Sequence, residues 1–524
     1  MKRIGMCVSI FITLLLLVAC DNSFNPKAPY EYLDDGTWSG IFEGYWHGMN
    51  ENYVFWDVDG TDWDRVYSEY LPKFQALGKY DDDDDKNETA ARYFYDISCN
   101  LSDGHYGFTL HLDDQMFSGG ADFTVMPGFN RLAKANGYSD ADIFNGTYGT
   151  NEYGSNIFPM LPDEARYERT PNILVNDFKF AFLKDGANLK DVITAHSAYK
   201  NEEGKTVLLY SEEHDSETEV TKDWGKVKYF SNSEVVDGSS LVNQVFSKWT
   251  LMIVLDNKVS SHDGAGNAVY GVGIDTIAFC GITRQYDALG APSDVVYTTF
   301  SAFSFAGYLE GDKTAPSVYE YLSKFHSYKA DGNAKGLVLD VRGNGGGYNL
   351  DREYLFGDIL STPQLFGYEK NKTGYNRFDF SGLFPVYVYP ESENLKKYYG
   401  NTDATHLYDK PVAVITNNLS VSNSEMTVFF VKSLPKGRQI GGRTFGAQGT
   451  LSGNYLDLNA GQFTVGKYIT QVYTPYAQIL DADKESHEGK GCAPDEVVAF
   501  NRDDFNLGND ARLEAAFRWV GGNL

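Results

Sequence analysis

Residues 336–347 read GLVLDVRGNGGG, an apolar stretch that ends in a run of glycines. Such a short apolar run is typical of a buried strand. The glycines let the backbone approach a ligand closely and point several N–H groups at one place. By itself the segment could hold a phosphate or an oxyanion, or it could be a tight turn. It lacks the Gly-Lys-Ser/Thr ending of nucleotide-binding loops, which disfavours a nucleotide site.

This strand belongs to a longer alternation of strands and helices. The pattern predicts strands at 295–303, 336–341 and 412–416 and helices at 317–328 and 424–434. Short buried strands alternating with helices are typical of an α/β domain with parallel strands. Active sites in such domains lie where strands end and helices begin.

The strand at 412–416 runs into NNLSVSNSE, residues 417–425, before the next helix. A serine at such a turn is exposed, and the helix N-terminus offers unpaired amides and a partial positive charge to an oxyanion. Ser422 with Glu425 three residues later also fits a helix capping box. Taken alone, the segment is therefore better explained as a helix cap than as a catalytic turn.

Taken together, the two segments resemble motifs of the carboxyl-terminal processing and tricorn-like serine peptidases. Residues 340–347 are similar to the family's D-L-R-x-N-x-G-G, and residues 420–425 to its S-x-S-x-S-E. Residues 440–446, IGGRTFG, resemble I-G-x-x-T-x-G, and residues 488–495, EGKGCAPD, resemble E-G-x-G-x-x-P-D. Residues 101–106, LSDGHY, resemble the D-G-H segment of the tricorn-like branch.

The resemblance implies a catalytic serine, base and supporting carboxylate. Ser422 would be the nucleophile, His105 the general base, and Glu488 the carboxylate that orients the histidine. The lysine-dependent branch places its base in T-F-G-K-G, but here Ala447 follows the T-F-G sequence. An alanine has no basic group, so either His105 is the base or the protein is catalytically silent.

The resemblance also implies an oxyanion hole and a fold. The amides of Asn423 and of a glycine in the Gly345 to Gly347 run, with Gly345 and Gly346 as our candidates, would bind the oxyanion. The catalytic domain would adopt a crotonase- or ClpP-like α/β spiral, preceded by a helical N-terminal region and a β-rich middle region. The expected substrate is a peptide or protein, and the chemistry requires neither a metal nor an organic cofactor.

Changes in composition and in the spacing of apolar residues divide the chain into five parts. Apolar residues between Trp63 and Phe74 recur at helical spacing, and apolar runs at 206–210 and 249–255 predict strands. The acidic run Asp81–Asp85 is interpreted as a solvated loop. We predict a signal segment at 1–20, a linker at 21–37, a helical region with the histidine motif at 38–118, a β-rich region that could include a PDZ-like module at 119–289, and a catalytic domain at 290–524.

The first residues indicate an export signal. Lys2 and Arg3 precede an apolar run at 10–19 that ends at Cys20, and LVAC resembles the bacterial lipobox. The resemblance implies that Cys20 carries lipid and anchors the mature chain in the cell envelope, on the periplasmic or cell-surface side of the outer membrane. The sequence does not predict an oligomeric state.

Charge and composition exclude one class of partner and leave two further functions open. The formal charge of −27 opposes binding to phosphate backbones, so nucleic acid is not an expected partner. A silent relative that binds peptide or polymer is the main alternative to an active peptidase. A structural lipoprotein that binds glycans would rest only on the 15% aromatic content.

Overall fold

The computed structural model describes residues 30–80, 83–112, 121–148, 156–169, 171, 228–231, 245–262, 268–310, 315–390, 403–451 and 461–522. The signal segment, Cys20 and the strand predicted at 206–210 lie outside these residues. Much of the predicted middle region does so as well.

The helices are short to medium in length. They are α1 Trp38–Asn52, α2 Trp63–Leu77, α3 Asp84–Ser98, α4 Pro127–Ala135, α5 Asp140–Thr147, α6 Asp163–Tyr167, α7 Phe305–Glu310, α8 Ala315–Lys329, α9 Asp351–Phe356, α10 Asn423–Ser433, α11 Arg502–Asn506 and α12 Ala511–Trp519. Short 3-10 helices cover Phe158–Met160, Gly357–Ile359 and Thr405–Leu407. Within the described ranges, no helix is both long and apolar enough to cross a bilayer.

The strands contribute to three sheets. They are β1 Gly107–Leu112, β2 Ala121–Val125, β3 Lys228–Ser231, β4 Phe246–His262, β5 Ala268–Thr283, β6 Asp294–Phe300, β7 Ala334–Asp340, β8 Gln364–Asn371, β9 Phe384–Val388, β10 Val412–Thr416, β11 Gly437–Gly441, β12 Phe463–Val465, β13 Ile469–Tyr473, β14 Ala477–Asp481 and β15 Glu496–Val497.

The central sheet follows the order β15-β11-β10-β7-β6-β5-β4-β3 among the described strands. The strands from β15 to β6 are paired in parallel, and β5, β4 and β3 extend the sheet in antiparallel fashion. The predicted strand at 412–416 coincides with β10. The structure thus confirms the α/β class with parallel strands.

Helices cover both faces of the parallel part of this sheet. Leu337 and Leu339 of β7 pack in one core with residues of α8 and α10, whereas Val338 packs on the opposite face with α12. Successive side chains of a strand point to opposite faces, so each face has its own core. This two-sided burial explains why β7 and β10 read as continuous apolar runs.

The N-terminal helices form a separate aromatic core. Trp63 and Phe74 of α2 are fully buried there, as the helical spacing predicts. The acidic run is not entirely a loop, because the Asp83 side chain accepts the Lys86 N–H and α3 begins at Asp84. Carboxylates near a helix N-terminus are favoured by its partial positive charge.

A second sheet connects distant parts of the sequence, in the order β12-β13-β1-β2. Strand β1 pairs with β2 on one side and with β13 on the other, where Gly107 lies opposite Tyr473. Val465, Ile469 and Val472 are buried in the aromatic core of the N-terminal helices. A segment from the C-terminal part of the chain therefore completes the N-terminal region.

Candidate active site

Ser422 lies where strand β10 turns into helix α10. Its backbone has φ 58° and ψ −117°, which is strained for a residue with a Cβ. The Ser422 N–H donates to Ala447 O at 3.0 Å and lies 3.3 Å from Glu425 Oε2. The capping pair expected from the sequence is thus present. The strained turn places the serine at the positive end of α10.

The three alternating serines have different surroundings. Ser420 Oγ donates to Val341 O at 2.8 Å, and Ser424 Oγ donates to Asn344 O at 2.9 Å. Both of these serines are fully buried, whereas Ser422 is half-buried. The outer serines therefore fasten the glycine-rich loop to the helix, and solvent reaches Ser422.

The glycine-rich loop passes directly over the nucleophile segment. A Cβ on Gly346 would lie 2.6 Å from Ser422 Cβ and 2.9 Å from Asn423 N, and Gly346 has φ +93°. Both the close approach and the positive φ require glycine here. The Asn423 side chain adds a further tie, because its Nδ2 donates to Tyr348 O at 2.7 Å.

The backbone amides predicted to bind the oxyanion differ in their hydrogen bonding and exposure. The Gly346 N–H already donates to Asn344 Oδ1 at 2.8 Å. Gly345 is exposed, with no heavy atom within 4 Å of the position that a Cβ would take. Asn423 is the first residue of α10, where the backbone N–H has no acceptor within the helix. The Asn423 amide is therefore available at the nucleophile, whereas the part of Gly345 as a donor stays a prediction.

His105 lies two residues before β1, in a segment that we call the base loop, residues 101–106. Asp103 Oδ1 accepts the N–H groups of His105 at 2.8 Å and Tyr106 at 3.1 Å. Asp103 Oδ2 accepts Thr474 Oγ1 at 2.8 Å, just beyond β13. The Tyr53 hydroxyl lies 3.3 Å from the Asp103 N–H. The buried carboxylate of Asp103 therefore fixes the backbone that presents the histidine.

Glu488 connects the base loop with residues 444–449, which we call the nucleophile loop because Ala447 holds the Ser422 N–H. Its Oε1 accepts the Gly104 N–H at 2.8 Å, and its Oε2 accepts the N–H groups of Gln448 at 2.8 Å and Gly449 at 3.1 Å. The side chain is almost completely buried. One carboxylate thus brings the predicted base and the nucleophile segment together.

A second buried carboxylate completes the hold on the nucleophile loop. Glu425 accepts the N–H groups of Gly446 at 2.9 Å and Ala447 at 2.7 Å, and also Thr444 Oγ1 at 2.6 Å. Four consecutive amides, 446–449, are therefore shared between Glu425 and Glu488. A loop with so many charge-assisted hydrogen bonds has little freedom to move.

Asp103, His105 and Glu488 each place one potential ligand atom within 4.8 Å of the others. Their carboxylate oxygens also accept the amides and the hydroxyl described above, so the three side chains belong to a hydrogen-bond network. At this separation a single water can join His105 to a carboxylate.

Burial shifts the pKa values of these groups in opposite directions. It lowers the pKa of His105 to about 4 and raises the pKa of Asp103 to about 7. It also raises the pKa of Glu488 well above its usual range, an effect that the nearby Asp103 charge increases. Desolvation disfavours the charged form in each case. A neutral imidazole is therefore available near neutral pH, as a general base requires.

The arginine of the 340–347 motif, Arg342, has a structural role. Arg342 is buried and binds Asp340, Glu168 at 2.9 Å and both carboxylate oxygens of Asp510 at 2.9 and 2.8 Å. Glu168 also pairs with Arg512. This network joins the end of β7 to the N-terminal region and to α12. It fixes the strand from which the glycine-rich loop leaves.

Several residues of the site carry no recognisable signal in the sequence. Arg131 of α4 bonds to both loops, and Thr474 reaches Asp103 from the far end of the chain. Asp103 and Glu425 lie within motifs that resemble those of the peptidase family. Their positions could therefore have indicated a role in supporting the proposed catalytic residues.

Comparison with known proteins defines the class. Residues 294–498 match peptidase family S41, and residues 34–85 match the tricorn protease C1 domain. The resemblance to carboxyl-terminal processing and tricorn-like peptidases is thereby confirmed, and the chain is a serine peptidase. No curated protein matches the sequence.

Solved structures of similar fold include three peptidase chains of low identity. A candidate peptidase from Parabacteroides merdae is 18% identical over 93% of this chain and 97% of its own, with a TM-score of 0.47. Mature CPAF is 13% identical over 91% and 96%, with a TM-score of 0.46. The photosystem II D1 C-terminal processing protease is 14% identical over 89% and 94%, with a TM-score of 0.37.

Proposed function

We propose that this chain is an endopeptidase that forms an acyl-enzyme on Ser422 with His105 as general base. The main observation behind the proposal is that Glu488 binds both the base loop and the nucleophile loop. Its carboxylate accepts the N–H next to His105 and two N–H groups of the nucleophile loop, whose Ala447 carbonyl accepts the Ser422 N–H. This continuous network between the base loop and the nucleophile loop supports the pairing of His105 with Ser422.

The chemistry follows from this arrangement. Neutral His105 removes the proton from Ser422 Oγ while the oxygen attacks the peptide carbonyl. The amides of Asn423 and Gly345 stabilise the oxyanion, and the imidazolium then protonates the leaving amine. Water, deprotonated by the same histidine, releases the acid and restores the serine. Glu488 orients the base and does not itself move the proton.

Fluorophosphonate labelling tests the proposal, because only an activated serine reacts. We expect the mature chain to be labelled once and the label to map to Ser422. Ser422→Ala should remove labelling, and Ser424→Ala, a variant of similar size at a buried position, should retain it. A folded wild-type chain that is not labelled would overturn the assignment.

One observation supports a second function, that of a catalytically silent peptide-binding protein. The Gly346 N–H is bound by Asn344, so one of the predicted oxyanion donors is already occupied. A silent protein should bind unstructured peptides without cleaving them and should not react with fluorophosphonate. The same labelling experiment therefore separates the two functions.

We also propose that Cys20 carries lipid and anchors the protein in the cell envelope. The support is the LVAC sequence after the apolar run at 10–19. The chain continues with a linker before α1, which would let the catalytic region stand away from the membrane.

A further inference from the structure

Arg131 reaches the junction between the two loops of the site from helix α4. Its Nη1 donates to the carbonyls of Leu101 and Ser102 at 3.1 and 3.2 Å, and its Nη2 donates to Gly446 O at 3.3 Å. The first two carbonyls belong to the base loop and the third to the nucleophile loop. One planar guanidinium therefore joins the two halves of the site, a task that suits its fixed fork of donors.

Each contact of Arg131 lies next to a buried carboxylate. The base-loop carbonyls immediately precede Asp103. Gly446 donates its N–H to Glu425, and its carbonyl also accepts the N–H of the residue that follows Glu488. Arg131 thus stands among three carboxylates, those of Asp103, Glu425 and Glu488.

The ionisable groups that face Arg131 and the base loop come from several elements. Glu488, Asp103, Tyr53 and Glu425 act on the Arg131 guanidinium, and Tyr473 of β13 faces Asp103, which binds the His105 backbone. The positive charge of Arg131 opposes the burial-driven rise in the Asp103 pKa. An arginine stays protonated at all working pH values, so its charge is permanent.

We propose that Arg131 is a positioning residue that holds the base loop against the nucleophile loop and supplies the positive charge that balances Asp103, Glu425 and Glu488. This proposal rests on the function proposed above and adds an electrostatic role for Arg131. Without the guanidinium, a positive charge that disfavours the imidazolium form of His105 is lost. The base would then be protonated, and inactive, over a wider range of acidic pH.

Two substitutions separate the charge from the geometry. Arg131→Gln removes the charge, so the acidic limb of the kcat/KM profile should move upward by about one pH unit. Arg131→Lys keeps the charge but loses the fork, so the limb should stay while kcat falls by roughly 10- to 100-fold. If Arg131 had only a structural role, Arg131→Gln would lower activity without shifting the acidic limb of the kcat/KM profile.

Lys134 provides the matched control, because it is a cation on the same helix that bonds Asn100 at 2.6 Å and pairs with Asp140. Lys134→Gln should leave both the limb and kcat unchanged. An unmoved limb in Arg131→Gln, or an equal shift in Lys134→Gln, would overturn the proposal. If Arg131→Gln does not fold, an unchanged kcat in Arg131→Lys is the overturning result.

A measurement that needs no turnover distinguishes this proposal from the function itself. In a Ser422→Ala background, nuclear magnetic resonance can follow the titration of the His105 ring with and without Arg131→Gln. We expect the His105 pKa to rise in the double variant. Failure of fluorophosphonate labelling would overturn the function alone, whereas an unchanged His105 pKa would overturn the electrostatic part of Arg131.

Discussion

Gly104 packs directly on Ala447, with no room for a side chain between them. A Cβ on Gly104 would lie 2.6 Å from Ala447 Cβ and 2.2 Å from Gly446 O. Ala447 itself is fully buried. The base loop therefore leaves little room beside the Ala447 Cβ. This packing is consistent with a small side chain at the position where the lysine-dependent branch has its base.

Gly104→Ala should separate the two loops. The added methyl group meets backbone atoms, so we expect a loss of ~1–3 kcal/mol in the free energy of unfolding and a fall in kcat/KM of about 10²-fold. Gly107→Ala is the matched control, because its Cβ would meet nothing closer than 3.8 Å. Thermal melts and turnover of both variants test this. Full activity in Gly104→Ala would show that the contact is unimportant.

A lysine at position 447 should not replace the base. We expect Ala447→Lys, His105→Ala to be inactive, because burying the ammonium against Gly104 is unfavourable and leaves it without a place near Ser422. Turnover by this double variant, measured against His105→Ala alone, would contradict the steric argument.

The three serines should respond differently to substitution. Ser422→Ala should abolish hydrolysis and leave the fold intact, apart from a capping loss of about 0.5 to 2 kcal/mol. Ser420→Ala and Ser424→Ala each remove a buried hydrogen bond and should cost about 1 kcal/mol of stability while retaining hydrolysis. Denaturant unfolding and turnover measure the two effects separately. Loss of activity in Ser424→Ala with a retained fold would shift the nucleophile by two residues.

The pH dependence should report the buried histidine. A base must be unprotonated to act, and burial lowers the His105 pKa to about 4. The acidic limb of kcat/KM should therefore lie below the usual histidine value of about 6.5. His105→Ala should cost nearly as much rate as Ser422→Ala, and the double variant little more. Wild-type turnover by His105→Ala would remove the histidine mechanism.

Lipid attachment has a simple genetic test. Cys20→Ala should release the protein into the soluble fraction or leave an unprocessed precursor, because the thiol is the proposed acylation site. Cys7→Ala, within the signal segment, is the control and should remain membrane-bound. Palmitate incorporation by Cys20→Ala would rule the proposal out.

The sequence predicted the parts of the fold that depend on local pattern. The strand at 412–416 and the following helix, α10 at Asn423–Ser433, were readable because buried strands and helices have distinct spacing. The pairing of β1 with β13 could not be predicted, because it joins segments more than 350 residues apart in sequence. Arg131 was missed for the same reason, since its partners are backbone carbonyls and these leave no mark in the sequence.

The pairing of β1 with β13 also sets an order of events during synthesis. A ribosome releases the base loop long before residues 469–473 exist, and until then one edge of β1 has no partner and Thr474 cannot bind Asp103. The nucleophile segment is likewise made before Glu488. On the proposed mechanism, a chain that stops before residue 469 holds a serine without its oriented base. The network around Asp103 and Glu488 can form only after residues 469–488 have been made.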